Sequence, residues 1–163
     1  MKALSKSRFK QGLECPNKLY FSNNKQVFHN VKNEDPFLQA LASGGFQVEE
    51  YARLQYPGGV LIEDPEDREN YDYQDLADQT SELLKQENVV IYEAAFYIDD
   101  LFIRTDVLVK KGTHIKLIEV KAKSLDPSEA HNFVGKSKKL VSSWKPYLFD
   151  LAFQTYVTQR CLP

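Results

Sequence analysis

The chain has 163 residues, 42% of them hydrophobic and 27% charged, which fits one globular domain with a real core and excludes collagen-like or low-complexity character. No apolar run approaches the roughly 20 residues of a membrane helix, and Met1–Lys6 is followed by no apolar stretch of the signal-peptide kind. The net charge of −2 is unevenly spread: seven Lys/Arg stand against one acid in residues 1–32, three against seventeen in 33–103, and eleven against five in 104–163.

The basic ends are compatible with a polyanionic partner and equally with ordinary solvated surface. Cys15 and Cys161 make no disulfide framework, so a reducing, cytoplasmic setting is expected.

In chain order, Ser5 is placed to cap a first helix through Leu13, with a break at Gly12 and Pro16 and a second short turn at 17–21. Residues 22–34 read as loop. Asp35-Pro36 opens a helix over 37–56, interrupted at Gly44-Gly45 and stopped by Tyr56-Pro57-Gly58-Gly59. Val60-Leu61-Ile62 fits a short strand, and the acidic stretch 63–72 fits turns. Tyr73, Leu76, Ala77, Thr80, Leu83 and Leu84 recur at helical spacing, predicting an amphipathic helix of about 14 residues.

The pattern changes at Val89. Three apolar, β-rich runs follow at 89–98, 101–109 and 114–123, separated by Asp99-Asp100 and by 110–113. They predict a three-stranded antiparallel meander. After a polar stretch at 124–144, Pro146 opens a last helix to about Arg160. The reading is an α/β domain with N-terminal helices, a meander and a C-terminal helix.

The third run carries the most informative chemistry. In Ile118-Glu119-Val120-Lys121, alternation along a strand puts Glu119 and Lys121 on one face. Asp106 precedes Glu119 by a distance that a hairpin spans, which puts the two acids on neighbouring strands. Two convergent carboxylates suit a hard divalent cation, which takes oxygen ligands and can polarise a phosphoryl oxygen or lower the pKa of a bound water. Lys121 beside them could orient the water or stabilise charge on phosphate. Taken alone, Glu-Val-Lys on a strand is more often a salt-bridged sheet face. Glu93, the one charge in 89–98, needs a partner, water or the site, because burying an unpaired carboxylate is costly. His29, His114 and His131 show no metal-ligand spacing.

Thr105-Asp106-Val107-Leu108, Ile118-Glu119-Val120-Lys121 and Gln154 with Tyr156 together resemble the PD-(D/E)XK nuclease superfamily. The likeness is to its RecB-like branch, which includes CRISPR-adaptation nucleases. Leu4-Ser5-Lys6-Ser7-Arg8-Phe9 and Cys15-Pro16-Asn17-Lys18-Leu19-Tyr20 resemble the start of an uncharacterised bacterial group of that branch. Gly45–Arg53 echoes its Gly-x-x-Val-Gly-Glu-Leu-Ala-Arg helix.

The resemblance implies a restriction-endonuclease-like core over a single domain, 1–163, as the N-terminal part of a longer protein with further domains and with the fourth core strand truncated. It implies that Glu50, with Glu49 as the adjacent alternative, joins Asp106 and Glu119 around Mg²⁺ or Mn²⁺. Lys121 and Gln154 would assist catalysis, and Gln154, Tyr156 and Lys123 would lie toward the DNA substrate. The usual Gln-x-x-x-Tyr is not met, since Thr158 stands at the Tyr position. The iron–sulfur cluster of some relatives needs three late cysteines; with Cys161 alone, none is expected in this chain.

The leading expectation is thus a metal-dependent deoxyribonuclease, acting on single- or double-stranded DNA and not at a membrane. The alternative is a non-catalytic module on the same fold. It would bind nucleic acid through Lys136, Lys138, Lys139 and the N-terminal lysines, or bind a protein through the acidic middle.

Overall fold

The computed structural model describes residues 3–24, 26–28, 35–63, 72–123, 133–135 and 138–162, with only the backbone of 41–43. The elements are β1 (Leu4–Ser5), α1 (Lys6–Glu14), α2 (Pro16–Asn23), α3 (Pro36–Leu54), β2 (Val60–Leu61), α4 (Tyr73–Leu83), β3 (Asn88–Ile98), β4 (Leu101–Lys111), β5 (His114–Ile118) and α5 (Lys145–Cys161). The architecture is mixed α/β: five helices and a five-stranded open mixed sheet among the described residues. No helix among them is long and apolar enough to cross a membrane.

Three helix starts, those of α1, α3 and α4, follow side chains that satisfy orphan N–H groups. Ser5 Oγ accepts from the Arg8 N–H, Asp35 from Phe37 and Leu38, and Asp72 from Gln74 and Asp75. The interruption expected at Gly44-Gly45 does not occur, and α3 runs unbroken for 19 residues. Glycine lowers helix propensity by about 1 kcal/mol relative to Ala but keeps its N–H, so the hydrogen-bond ladder can continue through it.

The meander forms as its turns require. Asp99 and Asp100 both take positive φ (48° and 59°), the backbone of a tight two-residue hairpin turn, and Gly112 (φ 56°) opens the next one. β3 pairs with β4 from Asn88↔Lys111 to Ile98↔Leu101, with one interruption at Glu93 and Asp106. β2 runs parallel to β3 on the far side, at Ile91 and Tyr92.

The other edge of β4 is divided. β1 pairs with it in parallel at Leu101–Phe102, and β5 pairs antiparallel at Val107–Lys111. Residues 103–106 of β4 are left between them. β1 runs toward this gap from one side and β5 from the other, so the C-terminal ends of both strands point into it. The expected third strand to Lys123 therefore stops early, at Ile118. The Val120 N–H donates to the Asp106 carboxylate, 2.6 Å, and not to a strand carbonyl. The sheet also gains two short parallel strands that precede the meander in sequence, of which β1 was not anticipated.

The core lies on β3 and β4, where Ile91, Ala94, Ala95, Ile103 and Leu108 are fully buried. α4 is pinned to it by Thr80, whose hydroxyl donates to the Leu76 carbonyl and accepts from the Ala95 N–H. α5 contributes Phe153 and Val157, and Phe153 stacks on Phe9 of α1 at 4.3 Å between ring centroids.

Candidate active site

The gap in the β4 edge gathers charge. Lys6 is the first residue beyond β1, and Glu119 is the first beyond β5; both reach Asp106. Lys6 Nζ lies 3.3 Å from Asp106 Oδ1 and 3.2 Å from each Glu119 oxygen. Asp106 Oδ2 is held by the Val120 N–H, while Glu119 Oε2 accepts from Gln154 Nε2 at 2.6 Å and Oε1 from Lys121 Nζ. Asp106 and Glu119 therefore converge on one cation-sized position, and Lys121 joins them.

The two acids titrate in opposite directions. Burial dominates at Asp106 and holds its carboxyl above the usual range against the pull of Lys6. At Glu119 burial is outweighed by Lys6 and by hydrogen bonds from Lys121 and Gln154, which lower its pKa. Burial also acts against the Lys6 ammonium, yet Asp106, Glu119 and Asp150 together raise its pKa.

Beyond β5 the chain runs antiparallel to α5, with a tight turn in which the Lys123 N–H donates to the Lys121 carbonyl. Alternate side chains meet successive turns of the helix: Glu119 meets Gln154, Lys121 meets Asp150 (Nζ to Oδ2, 3.5 Å), and Lys123 lies over the rings of Trp144 and Tyr147 at 3.9 and 4.7 Å. Asp150 is fully buried. Gln154 Nε2 donates to its Oδ1, and Lys121 and Lys10 lie at ion-pair distance of its Oδ2.

On the other side of Asp106 lies a cavity of about 520 Å³ whose charged lining includes Lys6, Glu49, Arg53, Glu93, Arg104 and Asp106. β4 supplies Arg104 and Asp106, two residues apart on one face. α3 supplies Glu49 and Arg53, one turn apart. Glu93 and Asp106 are the two residues that the β3–β4 register skips, between Tyr92↔Val107 and Ala94↔Thr105, and Glu93 has φ 57°, a conformation that a non-glycine side chain seldom takes in mid-strand. Its carboxylate pairs with Arg53 (3.3 Å) and Arg104 (3.5 Å). Burial first, and then the Asp106 charge, push its pKa up to about 7. The same two causes raise Glu49.

The sequence-predicted residues divide accordingly. Asp106, Glu119, Lys121 and Gln154 come together. Of the two candidate acids on α3, Glu49 lines the cavity, while Glu50 is exposed and does not. Tyr156 is 52% exposed, and its hydroxyl accepts from Arg160, which also binds Asp99 in the hairpin turn, so it stands apart from the site. Lys123 lies beyond Lys121, over Trp144 and Tyr147. Lys138 and Lys139 are exposed, whereas Lys136, His29 and His131 lie outside the described residues. Of the N-terminal lysines, Lys6 and Lys10 point inward to carboxylates and Lys18 pairs with Glu14.

Lys6, Asp150, Arg53 and Arg104 went unanticipated. Asp150 carried a signal: an acid one turn before Gln154, on the helix face that also bears Phe153 and Val157. Lys6 carried none, since a lysine at a helix start ordinarily reads as solvated.

The donor set can be weighed against a divalent cation. Asp106 and Glu119 offer only hard oxygen atoms, and the Lys6 ammonium between them is a stand-in cation at the point where those oxygens meet. In donor chemistry and in convergence the pair fits Mg²⁺ or Mn²⁺. Among the described residues no group of three or more His, Cys, Asp or Glu gathers in a metal-holding arrangement, so two acids form the set. No family model, no curated protein and no solved structure matches this chain.

Proposed function

We propose that the chain is a metal-dependent nuclease domain with a restriction-endonuclease-like core, hydrolysing DNA phosphodiester bonds in the cytoplasm. One observation carries the reading: an acid within β4 and an acid just beyond the end of β5 turn their oxygens onto a single cation position beside an open, charged cavity.

In this reading Asp106 and Glu119 hold Mg²⁺ or Mn²⁺, which when bound supplies Lewis-acid activation of a phosphoryl oxygen and of water. Gln154 keeps Glu119 turned into the site by its hydrogen bond. Lys121, steadied by the buried Asp150, places a positive charge where negative charge develops on phosphate. Arg53 and Arg104, both tied to Glu93, give the cavity wall the guanidinium character that phosphate backbones favour.

The test is incubation of the protein with linear double-stranded and single-stranded DNA in Mn²⁺ or Mg²⁺ against EDTA. Metal-dependent cleavage that Asp106→Ala and Glu119→Ala abolish supports the proposal. A second reading, a non-catalytic nucleic-acid-binding or protein-interaction module on the same fold, is favoured by the neutralisation of both acids by Lys6 and Lys121. DNA binding with neither cleavage nor metal binding would select it.

A further inference from the structure

The position of Lys6 is set by the backbone. β1 pairs with the start of β4, Ser5 caps α1, and Lys6 is the residue at which the chain leaves the sheet, directly opposite the gap. Its side chain is largely buried, and Nζ lies 3.2–3.3 Å from three oxygens of two acids. That is the coordination of an ion more than of a peripheral salt bridge. An ammonium and a divalent cation cannot share this point, because two positive charges within a few ångströms repel strongly in a partly buried setting.

We propose that Lys6 is the resident cation of the Asp106–Glu119 site, and that a divalent ion binds there by displacing its ammonium. The inference rests on the metal reading above and adds a residue to it. The displaced group has somewhere to go. Glu49 of α3 lines the same cavity as Lys6. A four-carbon stem carrying a compact charge suits such a move better than a guanidinium fork would. Lys6 is then a positioning residue: it keeps two buried carboxylates compensated until the metal arrives, and its departure is part of the cost of metal binding.

The test compares wild type with Lys6→Met, which keeps the length and loses the charge, in calorimetric titration with MnCl₂ and in thermal melts with and without it. The expected result is Mn²⁺ binding at least about tenfold tighter in the variant, since no ammonium has to be expelled. Without metal the variant should melt lower than wild type, because Asp106 and Glu119 have lost the ammonium they share, and Mn²⁺ should raise its melting temperature more than it raises that of wild type. Should Lys6→Met not fold, Lys6→Gln, whose amide can still donate to the carboxylates, gives the same comparison. Equal or weaker Mn²⁺ binding by the folded variant, with binding intact in wild type, overturns the inference and leaves the metal reading standing. Absence of Mn²⁺ binding in both proteins overturns the two together.

Discussion

Asp106 stands between two charged assemblies on opposite edges of β4. On the outer edge, charges arrive from chain ends that leave the sheet: Lys6 beyond β1, Glu119 and Lys121 beyond β5. On the inner edge, Glu93 sits inside a continuous strand at the one position where the β3–β4 register skips, its backbone at positive φ and its carboxylate set between two arginines. The outer assembly uses ammonium groups, which are compact and can be exchanged for another cation. The inner one uses guanidinium groups, one of which also donates to the backbone carbonyls of Glu93 and Ile62. The difference teaches where chemistry and where support belong: an exchangeable site is built where strands end, and a fixed one where they continue.

Mutation can break or sharpen that contrast. The largest effects belong to the outer edge. Asp106→Ala and Glu119→Ala should each lower DNA cleavage by at least about 10²-fold, the scale of losing one preorganised electrostatic group, and should weaken Mn²⁺ binding in calorimetry. Lys121→Ala should lower cleavage on a similar scale, about 10²-fold, while leaving Mn²⁺ affinity unchanged or higher, because it removes a nearby positive charge. A Lys121→Ala protein that loses metal affinity would mean that the lysine organises the acids and does not act beside them.

Asp150 lies between the two assemblies in kind: fully buried like a structural group, yet bound to Lys121. Asp150→Ala removes one of the two acceptors of the Gln154 amide and the buried carboxylate that Lys10 and Lys121 share, while Glu119 still serves Gln154 and Lys121. It should cost about 1–3 kcal/mol of stability, read by urea unfolding. Its activity loss should be recovered in part by Asp150→Asn, which keeps an acceptor for Gln154.

The smallest effect is a pH dependence at the inner edge. A Glu side chain ionises near 4.5 when unfolded, but burial keeps Glu93 protonated in the folded protein up to about 7. Between those values the folded state holds the extra proton, so this group's contribution to stability falls as pH rises. Glu93→Gln removes that slope. The stability difference should therefore shift in favour of the variant from pH 5 to pH 8, whatever its absolute value, when denaturant curves of both proteins are compared. A difference that does not change with pH would mean that the two arginines keep Glu93 ionised throughout.

Much of the frame was legible in the sequence. The meander announced itself through β-branched and aromatic runs cut by Asp99-Asp100 and Lys111-Gly112, and the nearness of Asp106, Glu119 and Lys121 was expected from spacing, that of Gln154 from the resemblance alone. The remainder depends on information that a linear reading does not carry. The phase of α3 decides between Glu49 and Glu50, and Phe46, Glu49 and Arg53, at i, i+3 and i+7, mark the face that lines the cavity. The Gly44-Gly45 pair was read as a break, though α3 runs through it. The end of β5 is set by an interaction across the gap, the Val120 N–H turning to a carboxylate. Lys6 reaches the site only because a two-residue strand pairs with the start of β4, a contact separated by nearly 100 residues and too short to leave a periodic pattern.

The central claim is that Asp106 and Glu119 form a cation site that cuts DNA, and cleavage of linear DNA measures it most directly. Wild type and Asp106→Ala would be assayed side by side in Mn²⁺, with EDTA as control and circular dichroism to establish that both are folded. The account expects wild-type cleavage that EDTA abolishes, and a rate at least about 10²-fold lower in the variant. Equal rates for the two folded proteins, or wild-type cleavage that persists in EDTA, would contradict it.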